Sequence, residues 1–85
     1  MSVLAKHITV TTTSQRIVDT DNVRRDVLLH AKQACHIGGE EVTVENGYLM
    51  DNGDEIRLTV FEGDTLWAVT EAGTGDLYVI ISAQT

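Results

Sequence analysis

Glu55-Ile56-Arg57-Leu58-Thr59-Val60-Phe61-Glu62-Gly63-Asp64-Thr65-Leu66-Trp67-Ala68-Val69-Thr70 is the stretch whose reading decides the fold class. Ile56, Leu58 and Val60 alternate with Arg57 and Thr59, the period of two expected of a strand with one buried face. Glu62-Gly63-Asp64 breaks the run with turn residues, and a second apolar run follows at once over Thr65–Thr70. Strand, tight turn, strand is the unit from which the rest of the chain is read.

The same punctuation recurs in both directions. Asp51-Asn52-Gly53-Asp54 is the turn that precedes Glu55, and before it Tyr48–Met50 is a short strand. Asn46-Gly47 tolerates positive φ at both positions of a type I′ turn, which would pair Tyr48–Met50 with a strand over Glu41–Glu45. Gly38-Gly39 turns that strand back onto Ala34–Ile37. Further upstream, Asp26–Lys32 alternates Val27, Leu29 and Ala31 against Leu28 and His30, although a helix between Val23 and Cys35 competes, because Val23, Val27 and His30-Ala31 are spaced at roughly helical intervals. Gln15–Val18 and Lys6–Val10 supply two more strands. Downstream, Ala72–Gly75 turns into Asp76–Ser82. The sum is about eight short strands, an all-β chain of the size of a small antiparallel β-sandwich or barrel. Eleven Thr, ten Val and six Ile fit that class. The expected organisation is a single domain: an N-terminal strand or arm over residues 1–15, loosened by Thr11-Thr12-Thr13-Ser14, and a sandwich over residues 16–85.

At 85 residues, such a domain buries only about 60–65% of the surface its unfolded chain exposes. Small cores are commonly reinforced by disulfides, metals or oligomerisation, and the single cysteine, Cys35, cannot form an internal bridge. Thirteen acidic against six basic residues give a net charge of −7, the wrong sign for neutralising phosphates or anionic lipid. Neither nucleic acid nor membrane is therefore expected as a direct partner. No long apolar run and no leader-like N-terminus is visible, so synthesis in the cytoplasm is expected.

The last two strands stand apart from the others. Leu66 and Ala68 share one face and Trp67 and Val69 the other; Leu77, Val79 and Ile81 share one face and Tyr78 and Ile80 the other. Read as a hairpin, both faces are apolar, and the second needs a cover, either an N-terminal strand or loop of the same chain or another subunit. Trp67, Val69, Tyr78 and Ile80 are the expected subunit interface, with the aromatic rings as anchors. Arg24 and Arg25, beside Asp19, Asp21 and Asp26, are candidate charges for setting register between subunits.

Chemistry-bearing motifs are otherwise weak. Cys35 and His36 are adjacent and point to opposite faces of a strand, no CxxC or HxxxH spacing is present, and neither a metal nor a cofactor is expected. Asp51, Asn52, Asp54 and Glu55 lack the distant bidentate glutamate of a calcium loop. Ser2, Ser14 and Ser82 lie in no nucleophile elbow, and the chain is not read as an enzyme.

From Ile37-Gly38-Gly39 through Val42-Thr43 and Asn46-Gly47-Tyr48-Leu49 to Gly63-Asp64-Thr65-Leu66-Trp67-Ala68, within residues 24–81, the chain resembles the small β-sandwich structural proteins of tailed bacteriophages. Gly38, Gly39, Asn46 and Gly47 match as turn formers, as Gly53 and Gly63 serve in the following turns, and Trp67 matches the aromatic position. The resemblance implies a virion component assembled in the host cytoplasm. On this reading it is a capsid decoration protein on the shell exterior, self-associating as a trimer by analogy and bound to the major capsid protein. The alternatives are a head–tail connector or tail subunit of the same fold, or a particle-displayed carbohydrate-binding module stacking sugar on Trp67, Tyr48 and Tyr78.

Overall fold

A computed structural model describes residues 2–83. Eight strands form two four-stranded antiparallel sheets packed face to face. They are β1 (Ser2–Val10), β2 (Gln15–Val18), β3 (Arg25–Ala31), β4 (Cys35–Gly38), β5 (Tyr48–Met50), β6 (Glu55–Val60), β7 (Leu66–Val69) and β8 (Gly75–Ala83). The first sheet runs β1-β8-β3-β6 and the second β2-β7-β4-β5.

Period-two burial is cleanest in β3, where Arg25, Val27, Leu29 and Ala31 are buried and Asp26, Leu28 and His30 are half-exposed. That pattern disposes of a helix between Val23 and Cys35. A helix would point Val27 and Leu29 some 200° apart around its axis, whereas here both enter one core. From the first sheet Val10, Val27, Leu29, Leu77, Val79 and Ile81 meet Ile17, Cys35, Ile37, Met50, Leu66 and Ala68 of the second. β1 pairs with β8 along its whole length, Ser2 opposite Ala83 through Val10 opposite Gly75, so this segment is an edge strand of the sandwich.

Two turns follow the glycine chemistry. In Asp51-Asn52-Gly53-Asp54 the Asp54 amide donates to the Asp51 carbonyl (3.0 Å), and Gly53 takes φ of 88° at the third position, the type II pattern. Phe61-Glu62-Gly63-Asp64 repeats it, with φ of 82° at Gly63.

Asn46-Gly47 does not form the expected hairpin turn, and Glu41–Glu45 is not a strand. No residue other than glycine has positive φ among those described, and Gly47 is not among the glycines that do. Thr43 and Asn46 cap one another instead. The Thr43 amide donates to Asn46 Oδ1 (2.7 Å), the Asn46 amide to Thr43 Oγ1 (3.2 Å), and the Gly47 amide to the Thr43 carbonyl (2.9 Å), closing one helical turn. Side-chain oxygens satisfy the backbone here, which removes any need for a ladder partner. The loop folds back over the outer side of β4, where Val42 is buried to 7% exposure. A Cβ on Gly47 would stand 2.7 Å from His36 Cβ and 2.9 Å from the Thr43 carbonyl oxygen. Gly38 likewise leaves room for Val42, at 2.9 Å. Neither Gly38 nor Gly39 needs positive φ.

Arg25 is buried to 3% exposure at one end of the sandwich. Its Nε donates to the Val23 carbonyl (3.2 Å), Nη1 to the Asp19 carbonyl, and Nη2 to the carbonyls of Phe61 (3.0 Å) and Asp64 (3.2 Å). The Gly63 amide adds a bond to the Asp21 carbonyl (2.9 Å). One rigid guanidinium fork thus ties the β2–β3 connection to the β6–β7 turn. Arg25 is accordingly no rim charge, and the paired role expected for Arg24 and Arg25 between subunits fails for Arg25. A side chain that makes these four bonds inside its own subunit cannot also meet a neighbour. Arg24 is exposed.

Arg25→Ala is expected to cost about 1–3 kcal/mol, because partly buried carbonyls lose their donor, and Arg25→Lys to recover only part of it; urea unfolding midpoints measure both. Gly47→Ala is expected to destabilise by about 1–3 kcal/mol through overpacking. Gly39→Ala is expected to be near neutral in the same assay, since nothing lies within 4 Å of its Cβ position.

Candidate functional site

The two outer faces of the sandwich differ. On the second sheet, Arg16, Trp67, Val69, His36, Gly38 and Leu49 alternate outward. The 39–47 loop lies across this face, and Val69, although outward, is only 6% exposed. Trp67 is half-buried, its Nε1 donates to Thr65 Oγ1 (3.0 Å), and the Arg16 guanidinium stands 5.9 Å from the ring centroid while pairing with Asp19 at 2.9 Å. The chain itself occupies part of this surface, and Leu49 on β5 is left 48% exposed.

Among the described residues, the first sheet has no such cover. Its registers set His7, Tyr78, His30 and Glu55 in one row across β1, β8, β3 and β6, and Ala5, Ile80, Leu28 and Arg57 in the next. Tyr78 is 42% and Ile80 45% exposed. The Tyr78 ring stacks on His7, centroids 4.7 Å apart and planes at 17°, and meets His30 at 6.4 Å. His7 Nε2 lies 3.2 Å from Asp76 Oδ1. The three rings form a ridge. Beside it lies a shallow hollow of about 200 Å³ lined by Asp26, Val27, Leu28, Arg57, Ile80 and Ser82. Apolar outward residues at the centre of a wet sheet are the unusual feature, because a solvated face normally alternates polar residues into those positions.

Trp67, Val69, Tyr78 and Ile80 therefore do not make one surface. β7 and β8 are consecutive in sequence but belong to different sheets, so the hairpin read from the sequence does not exist and the four side chains face opposite sides of the molecule. Each sheet has its own apolar outer residues, and no period-two pattern could tell which sheet a strand joins. Leu28, whose outward placement completes the Ile80 row, is part of this surface and was not singled out by the sequence. Its signal was present, as an apolar residue opposite in phase to Val27 and Leu29.

The same separation removes a stacking platform for sugar. Trp67 faces out from the second sheet, Tyr78 from the first, and Tyr48 sits on the side of β5 opposite Leu49. Cys35 is buried against the core at 2% exposure, and burial pushes its thiol above the ordinary range. In the acidic turn, Asp54 Oδ2 accepts the Asp51 amide (2.9 Å), so that carboxylate serves its own backbone. Among the described residues, no three His, Cys, Asp or Glu side chains come close enough to hold a metal ion.

No protein-family model matches the chain, and no curated protein matches it. It is similar to a solved structure from Bacillus endospore appendages, described as a family of disulfide-linked pili, with a TM-score of 0.57 and 20% identity over 99% of this chain and 87% of that one. This overturns the expected identity as a bacteriophage virion protein. The solved fold that the chain shares is that of a pilus protein, so a capsid decoration role, a trimer on the major capsid protein, a connector or tail role and a displayed sugar-binding module all lose their support. The stretch that suggested them is turn chemistry whose central piece, Asn46-Gly47, does not even form the turn it resembled. At 20% identity the likeness is one of fold: a small all-β sandwich of the kind found in a pilus protein.

Proposed function

We propose that this chain is a non-enzymatic structural subunit that self-associates into a surface-exposed, pilus-like assembly. The observation that carries the reading is the uncovered apolar outer face of the β1-β8-β3-β6 sheet, centred on Tyr78, Ile80 and Leu28, on a domain too small to have much core in reserve. The fold it shares with an endospore appendage protein supports the same reading. An acidic chain of net charge −7 repels its own copies. The centre of this face is apolar and aromatic, and it is where such repulsion is weakest.

Covalent linkage through Cys35 is a different matter. The sulfur faces Met50 across the β4–β5 pair, inside the core at 2% exposure, out of reach of a partner's sulfur, and the same burial disfavours the thiolate that disulfide exchange needs. Association of these subunits is accordingly non-covalent, unlike the disulfide linkage described for the similar pili.

Sedimentation equilibrium on the wild type should show mass rising with concentration, and electron microscopy of concentrated samples should show ordered assemblies. Ile80→Glu should abolish both without lowering the unfolding midpoint, since the position is half-exposed, whereas Trp67→Ala on the other sheet should leave them intact. A chain that stays monomeric at every concentration would sink the proposal. Native protein should react slowly with a maleimide and rapidly once unfolded in urea, and assemblies should survive reducing agent; loss of the assemblies on reduction would show that Cys35 does link subunits.

A further inference from the structure

We propose that two copies of this chain dock through the outer faces of their β1-β8-β3-β6 sheets, about a two-fold axis that runs across the strands between the Tyr78 row and the Ile80 row. The inference rests on the reading of the chain as a self-associating subunit and specifies the contact.

Shape points to this axis. The row of His7, Tyr78 and His30 stands next to a hollow that begins at Leu28, Ile80 and Arg57 and extends to Asp26 and Ser82. Rotation about an axis between the two rows lays the rings of each copy against the near wall of the other's hollow. Tyr78 then meets Ile80 of the second copy, and His30 meets its Leu28. Each contact occurs twice, as a two-fold interface requires. A two-fold axis along the strands would instead set ridge on ridge and hollow on hollow.

Charge points the same way. Glu55 and Arg57 are exposed on β6, two residues apart and on one face. The proposed axis lies between them, so Glu55 of one copy faces Arg57 of the other, twice. In the neighbouring rows Asp76 faces Ser82, and Asp26 faces the register position of Lys32. No two like charges are opposed. Packed sheets cross at about 30°, which offsets the edge strands by a few ångströms, and the long stems of Arg57 and Glu55 can absorb that shift.

The size of the face sets the strength. Four strands by about seven residues give roughly 450 Å² per copy, or about 900 Å² in all, below the standard range for stable complexes. The contact is therefore weak by itself and suited to one repeated among others in a larger assembly.

Sedimentation equilibrium at low and high salt on the wild type, Glu55→Arg, Arg57→Glu and the double exchange tests the contact. Each single reversal sets like charges opposite one another and should weaken association by roughly tenfold at low salt. The double exchange restores both pairs and should restore the association. Simple relief of net charge predicts the contrary for Glu55→Arg, namely tighter association, because that variant is less acidic. A tighter Glu55→Arg, or a double exchange no better than the singles, overturns this docking while leaving self-association standing. A wild type that never associates overturns both.

Discussion

β8 lies between β1 and β3, hydrogen-bonded along nearly its whole length on both sides, and the rest of the fold depends on that placement. Its sequence is apolar in both phases. Leu77, Val79 and Ile81 enter the core, and Tyr78 and Ile80 are left on the outside. The central strand thereby fixes the registers of β1 and β3, and through β3 that of β6. It also creates an apolar strip that no described residue covers. A slip of one residue would exchange the two sets, but Leu77 and Val79 are nearly inaccessible while Tyr78 is exposed and stacks on His7, so the two faces are not equivalent.

The ends of the sandwich are held by polar means. Arg25 reaches four carbonyls from two connections, and the Thr43–Asn46 pair closes the 39–47 loop against β4. In both places side chains satisfy backbone groups that the sheets leave unpaired. The consequence is an asymmetry: the loop and the Trp67–Arg16 contact cover part of the second sheet's outer face and leave Leu49 exposed, while no described residue covers the first. An interaction surface on this molecule is as much a matter of where the loop went as of which residues are apolar.

Similarity to a pilus protein and the buried Cys35 pull apart on one point. The fold is shared, and the linkage is not transferable, because the sulfur lies in the core between Ile37 and Met50 of its own sheet and not at a terminus or an edge. A sandwich can be joined to copies of itself through its faces or its strand edges, and the same architecture serves either way. Here the exposed apolar residues lie on both: Val3 and Leu4 on the edge strand β1, Tyr48 and Leu49 on the edge strand β5, and Tyr78 and Ile80 on a face.

Period-two alternation in Glu55–Val60 and Asp26–Ala31, together with turn residues at Gly53 and Gly63, determined an all-β chain with about eight strands, because those signals are local and depend only on neighbouring φ and ψ and on which side of the strand meets water. The same local signals misled at Asn46-Gly47, where side-chain capping outcompeted a hairpin turn, and at Arg25, whose charge gives no hint of four distant carbonyl partners. The sheet to which each strand belongs was decided only in three dimensions. The chain crosses from one layer to the other between β7 and β8, and nothing within either strand encodes that crossing. It separated Trp67 and Val69 from Tyr78 and Ile80, brought Leu28 beside Ile80, and so determined which apolar residues could form a surface together.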